Sequence, residues 1–275
     1  MALIDQYVFN GLKIELHGQW SSVDAHPHLA MNVPLNLRIL GGGAAVETSG
    51  AGSLLTRSYP HTGTEWDAKA KDHEIASLAR LFVCCIAAEI PPADYWIEES
   101  TSPAPVNHPT AQATLPPEFV LVGGGARANW EATGGAGSLL YASRPGIGQS
   151  WYAAAKDHRI ANPATVTAFA IGVRRSFLNS LGLTVVRVRA NSLEAMPHPI
   201  VGCGIEDDQL AALVSGGAET NWTGAGSLLT TSSPDALPGG PPPSHPYAWR
   251  AQGKDHLDPD PSTITAWGLA LVKCR

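Results

Sequence analysis

The chain has 275 residues and a mass of 28.8 kDa, with 18 Lys and Arg against 24 Asp and Glu, a formal net charge of −6. Only 15% of residues are charged and 44% are hydrophobic, while 28 Gly and 22 Pro punctuate the sequence. That balance excludes a collagen-like or disordered polymer and implies a packed globule with many turns. The acidic surplus argues against a nucleic-acid backbone as partner, and without an apolar run of about 18 residues no membrane-spanning helix is expected.

The first segment, MALIDQYVFNGLKIEL, lacks a basic stretch followed by an apolar one. No signal peptide is visible, and the expected location is cytoplasmic, or exported without such a signal. GLKIELHG at 11–18 alternates with period two, the pattern of a half-buried strand. His26–Pro27 follows, then GGGAAVETSGAGSLLTRSYP at 41–60, WDAKAKDH at 66–73 and LARLFVCCIAA at 78–88. The adjacent Cys84 and Cys85 face opposite ways on a strand, and with Cys203 and Cys274 they make neither a metal-ligand nor a disulfide spacing. A reduced protein without metal or cofactor is the expectation.

The same order then recurs twice. His108–Pro109, GGGARANWEATGGAGSLLYASRP at 123–145, WYAAAKDH at 151–158 and ATVTAFAIGV at 164–173 form a second copy. LTVVRVRA at 183–190, again alternating, opens a third, with His198–Pro199, SGGAETNWTGAGSLLTTSSP at 215–234, WRAQGKDH at 249–256 and STITAWGLAL at 262–271. The expected organisation is one domain, 1–275, of three repeats at about 1–90, 91–173 and 174–275. The glycine triples are expected to form tight or positive-φ turns, and the GAG before SLL another. In the second copy Trp151, Ala153, Ala155 and Asp157 share one face of a strand, and Tyr152, Ala154, Lys156 and His158 the other. The last strand of each copy is apolar on both faces, so each sheet is expected to be covered on both sides. The fold class is therefore all-β, with three similar sheets in pseudo-threefold array.

The pattern Gly-Gly-Gly-Ala, GSLL-x-x-S-x-P, Trp, Lys-Asp-His and TA-aromatic-AIG resembles repeats of bacterial proteins akin to the three-sheet β-prism group. That group includes the jacalin-like lectins and the vitelline membrane outer layer protein. The resemblance implies a β-prism-like fold and carbohydrate binding, although the lectins' sugar-binding motif has no counterpart here. The repeats are long for a simple prism sheet, so extra strands or long loops are expected, the clearest being PDALPGGPPPSHP at 234–246.

Three features could carry chemistry. Lys71, Asp72 and His73, with Lys156, Asp157, His158 and Lys254, Asp255, His256, could line three equivalent ligand pockets, since these side chains donate to and accept from hydroxyls. Alternatively the Asp bonds backbone amides at a turn and the His closes the adjacent corner. Asn129–Trp130 and Asn221–Trp222 could form a sugar platform, the indole for C–H groups and the amide for hydroxyls; the alternative is a Trp folded over its sheet. The first copy has Glu47–Thr48 there, so two competent platforms are expected. The recurring His-Pro pairs could build a zinc site with a neighbouring His, although such pairs more often mark turns.

No Gly-x-Ser-x-Gly elbow or phosphate loop is present. Triplication itself favours binding, because avidity gains from repeated sites whereas catalysis needs one. The expected function is lectin-like binding of a glycan or other polyhydroxylated ligand at two or three sites. A first alternative is an enzyme at one symmetry-broken repeat, for which Glu47, Cys84–Cys85 or the insertion Glu206-Asp207-Asp208 mark the places to look. A second is a recognition or scaffold module, which predicts buried triplets and an exposed apolar patch.

Overall fold

A computed structural model describes residues 1–48, 50–132, 138–205, 210–235 and 248–274. The insertion 206–208 and most of the proline-rich loop 234–246 lie outside these residues. The chain is almost entirely β, 62% strand and 5% helix, in three antiparallel sheets.

The first repeat supplies β1 (Ala2–Phe9), β2 (Leu12–Trp20), β3 (His28–Asn32), β4 (Arg38–Thr48), β5 (Leu54–Pro60), β6 (Glu65–Lys71) and β7 (Ala79–Ala88). The second supplies β8 (Tyr95–Thr101), β9 (Thr110–Thr114), β10 (Phe119–Ala128), β11 (Leu139–Pro145), β12 (Ser150–Lys156) and β13 (Val166–Arg174). After a short helix α1 (Arg175–Ser180) come β14 (Leu183–Asn191), β15 (Ile200–Gly204), β16 (Ala211–Asn221), β17 (Leu228–Pro234), β18 (Ala248–Lys254) and β19 (Thr263–Lys273). The alternating segments 11–18 and 183–190 do form strands, β2 and β14.

No sheet belongs to a single repeat. The first sheet has the order β1-β2-β7-β4-β17-β18-β15, the second β3-β6-β5-β10-β13-β8, and the third β14-β19-β16-β11-β12-β9. Each repeat therefore gives one module to one sheet and a second module to the next, three strands each except the four (β1, β2, β7, β4) that the first repeat gives the first sheet, and the third repeat closes the circle on the first. The modules meet through two residue pairs each: Ala44–Ser232 and Ala45–Thr231, Ser58–Ala126 and Arg57–Arg127, Ser143–Ala218 and Ala142–Glu219. A bulge precedes every junction, between Ile39 and Gly41, Leu121 and Gly123, Leu213 and Ser215 on one side. Matching bulges lie between Leu55 and Arg57, Leu140 and Ala142, Leu229 and Thr231 on the other. An extra residue bends its strand and raises the local twist, which lets three sheets wrap one axis.

The glycine triples are not turns. Gly41–Gly43, Gly123–Gly125 and Gly216–Gly217 lie inside β4, β10 and β16, and none has positive φ. They are small because other groups occupy the space of a side chain. A Cβ on Gly41 would come 2.5 Å from Cβ of Ser215, so the first position of each triple approaches its counterpart near the axis. A Cβ on Gly42 would come 2.6 Å from the Trp66 ring, and one on Gly124 2.6 Å from Trp151 Cγ. The third glycines lie against backbone of the neighbouring module: a Cβ on Gly125 would come 2.5 Å from Ser58 O. The turn expected before SLL does exist, with positive φ at Gly52 (75°), Ser138 (54°) and Ser227 (36°).

The core follows from the same motif. Trp66, Trp151 and Trp249 are fully buried, and each indole N–H donates to the serine of its own GSLL-x-x-S segment: Ser58, Ser143 and Ser232, all at 3.0 Å. A buried indole is stable only if its N–H finds an acceptor, so Trp and Ser recur together. Leu54, Leu139 and Leu228, one from each repeat, form an apolar cluster of their own.

Candidate functional site

The Lys-Asp-His triplets close strands β6, β12 and β18, and their three histidines meet. Ring centroids of His73, His158 and His256 lie 5.1, 5.2 and 5.6 Å apart, and all three side chains are buried. His73 Nε2 donates to the His158 carbonyl at 2.8 Å, His256 Nε2 to the His73 carbonyl at 2.7 Å, and His158 Nδ1 to the Ala225 carbonyl at 3.0 Å. The next residue has positive φ in every copy, Glu74 (61°), Arg159 (57°) and Leu257 (64°). Ile75 and Ile160 then return an N–H to the preceding histidine carbonyl at 2.7 and 2.6 Å, the three-residue γ-turn pattern. Burial, reinforced by the neighbouring rings, pushes the His158 and His256 pKa values down.

Each aspartate anchors the chain five residues on. Asp72 accepts the Ser77 N–H at 3.2 Å, Asp157 the Asn162 N–H at 2.7 Å and Asp255 the Asp260 N–H at 2.8 Å. Asp72 also takes the His26 Nε2 at 2.8 Å, which ties the His-Pro segment to the triplet in the first copy. The Asp and His of the triplets thus bond within the fold, and the histidines do not face solvent. Among the described residues no group of three or more His, Cys, Asp or Glu is arranged to hold a metal ion, and the zinc site weighed for the His-Pro pairs is not assembled.

The lysines act across repeat boundaries. Lys71 Nζ lies 3.9 Å from the centroid of the Trp130 ring, and Lys156 Nζ 4.0 Å from that of Trp222. Lys156 also donates to the Gly224 carbonyl at 3.3 Å. Both lysines are almost inaccessible, 2% and 1% exposed, and burial pushes both pKa values down to about 8. Lys254 is buried too, with its pKa lowered for the same reason. In the first copy Thr48 stands where the other two have Trp130 and Trp222. Edge-on to each half-buried indole stands the histidine of the preceding His-Pro, His26 at 6.2 Å from Trp130 and His108 at 5.4 Å from Trp222. The structure thus brings Lys71 to Trp130 and Lys156 to Trp222, a pairing between copies that sequence comparison within a copy does not reveal.

The asparagine amides are committed inside the sheet. Asn129 donates to Thr165 and Thr167 at 2.9 and 3.0 Å, and Asn221 to Thr263 and Thr265 at 2.9 and 3.2 Å. In the first copy Glu47 and Arg80 replace this set with an ion pair at 2.6 Å. That substitution lies beside a groove of about 310 Å³ on the first sheet, lined by Trp20, Glu47, Arg80, Thr231, Arg250 and Gln252 over Ala45 and Val46. Of these residues the motif pattern singles out only Glu47, by its departure from Asn. Arg80 stands where the other copies have Thr165 and Thr263, and that was a readable signal.

What the fold and site define is an all-β protein of three sheets exchanged between three repeats, with polar stations at the repeat boundaries. No family model matches the chain, and no curated protein matches it. Among solved structures it is similar to one described as the triple jelly roll fold and turret assembly of an archaeal virus. That likeness has a TM-score of 0.20 and 8% identity over 98% of this chain and 88% of the other, too slight to define a family.

Proposed function

We propose that this chain is a lectin-like protein that binds glycans at two stations, one around Trp130 and one around Trp222. The observation that carries the reading is the seating of each indole: over a buried lysine of the preceding repeat, edge-on to that repeat's histidine, at a sheet end. A ring held this rigidly contributes stacking area to a sugar at little cost in conformational entropy. Lys69, paired with Glu131 and 5.3 Å from the Trp130 ring centroid, adds an ammonium donor for a sugar hydroxyl at the first station, and Tyr141, 5.5 Å from Trp222, widens the second. The test is a glycan array on the wild type and on Trp130→Ala with Trp222→Ala. Binding that falls at least tenfold in the double variant supports the proposal, and an array without a hit on the wild type ends it.

A second reading, a module that docks on an apolar partner, is favoured by the ring of exposed side chains around the buried histidines. Ile75 is 47% exposed, Ile160 43% and Leu257 37%. Flotation with phosphatidylcholine vesicles, abolished by Ile75→Ser with Ile160→Ser, supports that reading; no flotation of the wild type counts against the lipid form of it.

A further inference from the structure

We infer that the groove between β4 and β17 is a third binding site, for a carboxylated sugar. It shares no residue with the two tryptophan stations, so it stands or falls separately from them.

The groove exists because the first junction is built from small residues. Counting two residues on from each third glycine gives Ala45, Arg127 and Glu219 at equivalent places, and the opposing strand gives Thr231, Arg57 and Ala142. At the second junction both places are arginine, and Arg57 Nε reaches Asp67 at 2.5 Å and Nη1 reaches Glu131 at 3.1 Å. At the third, Glu219 takes the Arg144 Nε at 2.6 Å, and that guanidinium lies over Tyr152 and Trp267 at 4.5 and 5.2 Å. Those two junctions are filled and neutralised from within. The first has only Ala45 and Thr231 at these places, and the space remains.

What lines that space asks for a particular ligand. Arg80 is fixed from two sides: its Nε donates to Glu47 at 2.6 Å, and its guanidinium stacks 4.1 Å from the Trp20 centroid, with Trp20 itself against Phe82 at 5.2 Å. Neither Nη of Arg80 has a partner among the described residues. Arg250 meets its acid, Asp235, only at 3.7 Å and only through Nη1. Two guanidinium forks with spare, coplanar donors match a carboxylate bidentately. Glu47, 57% exposed, accepts from Arg80 and keeps acceptor capacity at the same wall for a ligand hydroxyl. Gln252 and Thr231 supply one amide and one further hydroxyl. A molecule that offers a carboxylate to two arginines and hydroxyls to a glutamate, an amide and a threonine is an acidic sugar. The volume, at the lower end of small-ligand sites, suits one or two pyranose rings.

The test is isothermal titration of the full chain with trigalacturonate, neutral galactotriose and triglutamate. Trigalacturonate is expected to bind with one site per chain, at least tenfold tighter than either other probe, and to weaken with added salt. Arg250→Gln lowers that affinity at least tenfold, and so does Thr231→Arg, which refills the groove. Trp130→Ala with Trp222→Ala leaves it unchanged. Absence of trigalacturonate binding, equal binding of triglutamate, or unaltered affinity in a folded Arg250→Gln or Thr231→Arg variant overturns the inference.

Discussion

Lys156→Met should make the protein more stable. Lys156 is 1% exposed, and burial lowers its pKa from 10.5 to about 8. At about 1.4 kcal/mol per unit, keeping that charge in the folded chain costs about 3 kcal/mol relative to the unfolded chain. Against this stand the contact with the Trp222 ring, worth about 1–2 kcal/mol for a desolvated cation, and one bond to the Gly224 carbonyl, which water can replace because Gly224 is exposed. Methionine keeps the apolar stem against the indole and removes the charge, so a net gain of about 1–2 kcal/mol is expected. Urea unfolding at pH 7 measures it as a raised midpoint with unchanged slope. The pH dependence supplies an internal control. Because the folded pKa lies below the unfolded one, the wild type gains stability between about pH 8 and 10.5 as the folded lysine sheds its proton. The advantage of the methionine variant must therefore shrink over that range. A variant less stable than wild type by more than 1 kcal/mol, or an advantage independent of pH, refutes the reasoning.

Acid acts on two of the three axial histidines, His158 and His256. The folded pKa values of His158 and His256 are depressed, so the unfolded chain binds more protons below the ordinary histidine pKa of about 6.5, and stability falls as pH drops. Lys156 and Lys254 push the same way, whereas Asp258 favours the protonated His158. Urea midpoints are expected to fall from pH 7 to 5, and His158→Gln with His256→Gln should flatten the dependence; an equally steep double variant excludes these rings as its source. Gly124→Ala, whose new Cβ would come 2.6 Å from Trp151 Cγ, should cost at least about 2 kcal/mol in thermal or urea unfolding. A cost below 0.5 kcal/mol would mean that the glycine is not there for close approach.

Much of the fold was legible because its local rules repeat. Alternation in GLKIELHG and LTVVRVRA marks strands wherever one face is buried, and the same Trp appears in all three cores with the same serine. The glycine triples were misassigned for a definite reason: glycine chosen for positive φ and glycine chosen for lack of a Cβ look alike in sequence, and here the second cause operates. Strand exchange was not legible either. Whether β5 pairs within its own repeat or with β10 of the next depends on two residue pairs, Ser58–Ala126 and Arg57–Arg127, which leave no periodic trace. For the same reason the Lys71–Trp130 contact was hidden, although both residues had been singled out. The groove was half visible: Glu47 in place of Asn marked the spot, but Arg250 and Gln252 come from another repeat entirely.

Exchange of modules also explains why the copies diverge where they do. Residues near the axis must meet two counterparts at once, so Gly41, Gly123 and Ser215, or the three histidines, cannot enlarge without disturbing three sheets together. A junction on a sheet face meets only one opposing strand, over two pairs, with solvent on its outer side. Ala45 opposite Thr231, Arg127 opposite Arg57 and Glu219 opposite Ala142 are three different solutions to one backbone geometry. Sites that differ in chemistry should therefore lie on the junction faces, while the axis remains nearly symmetric. The open first junction is where those two tendencies separate most clearly, because its shared β geometry is intact and only its side chains have changed.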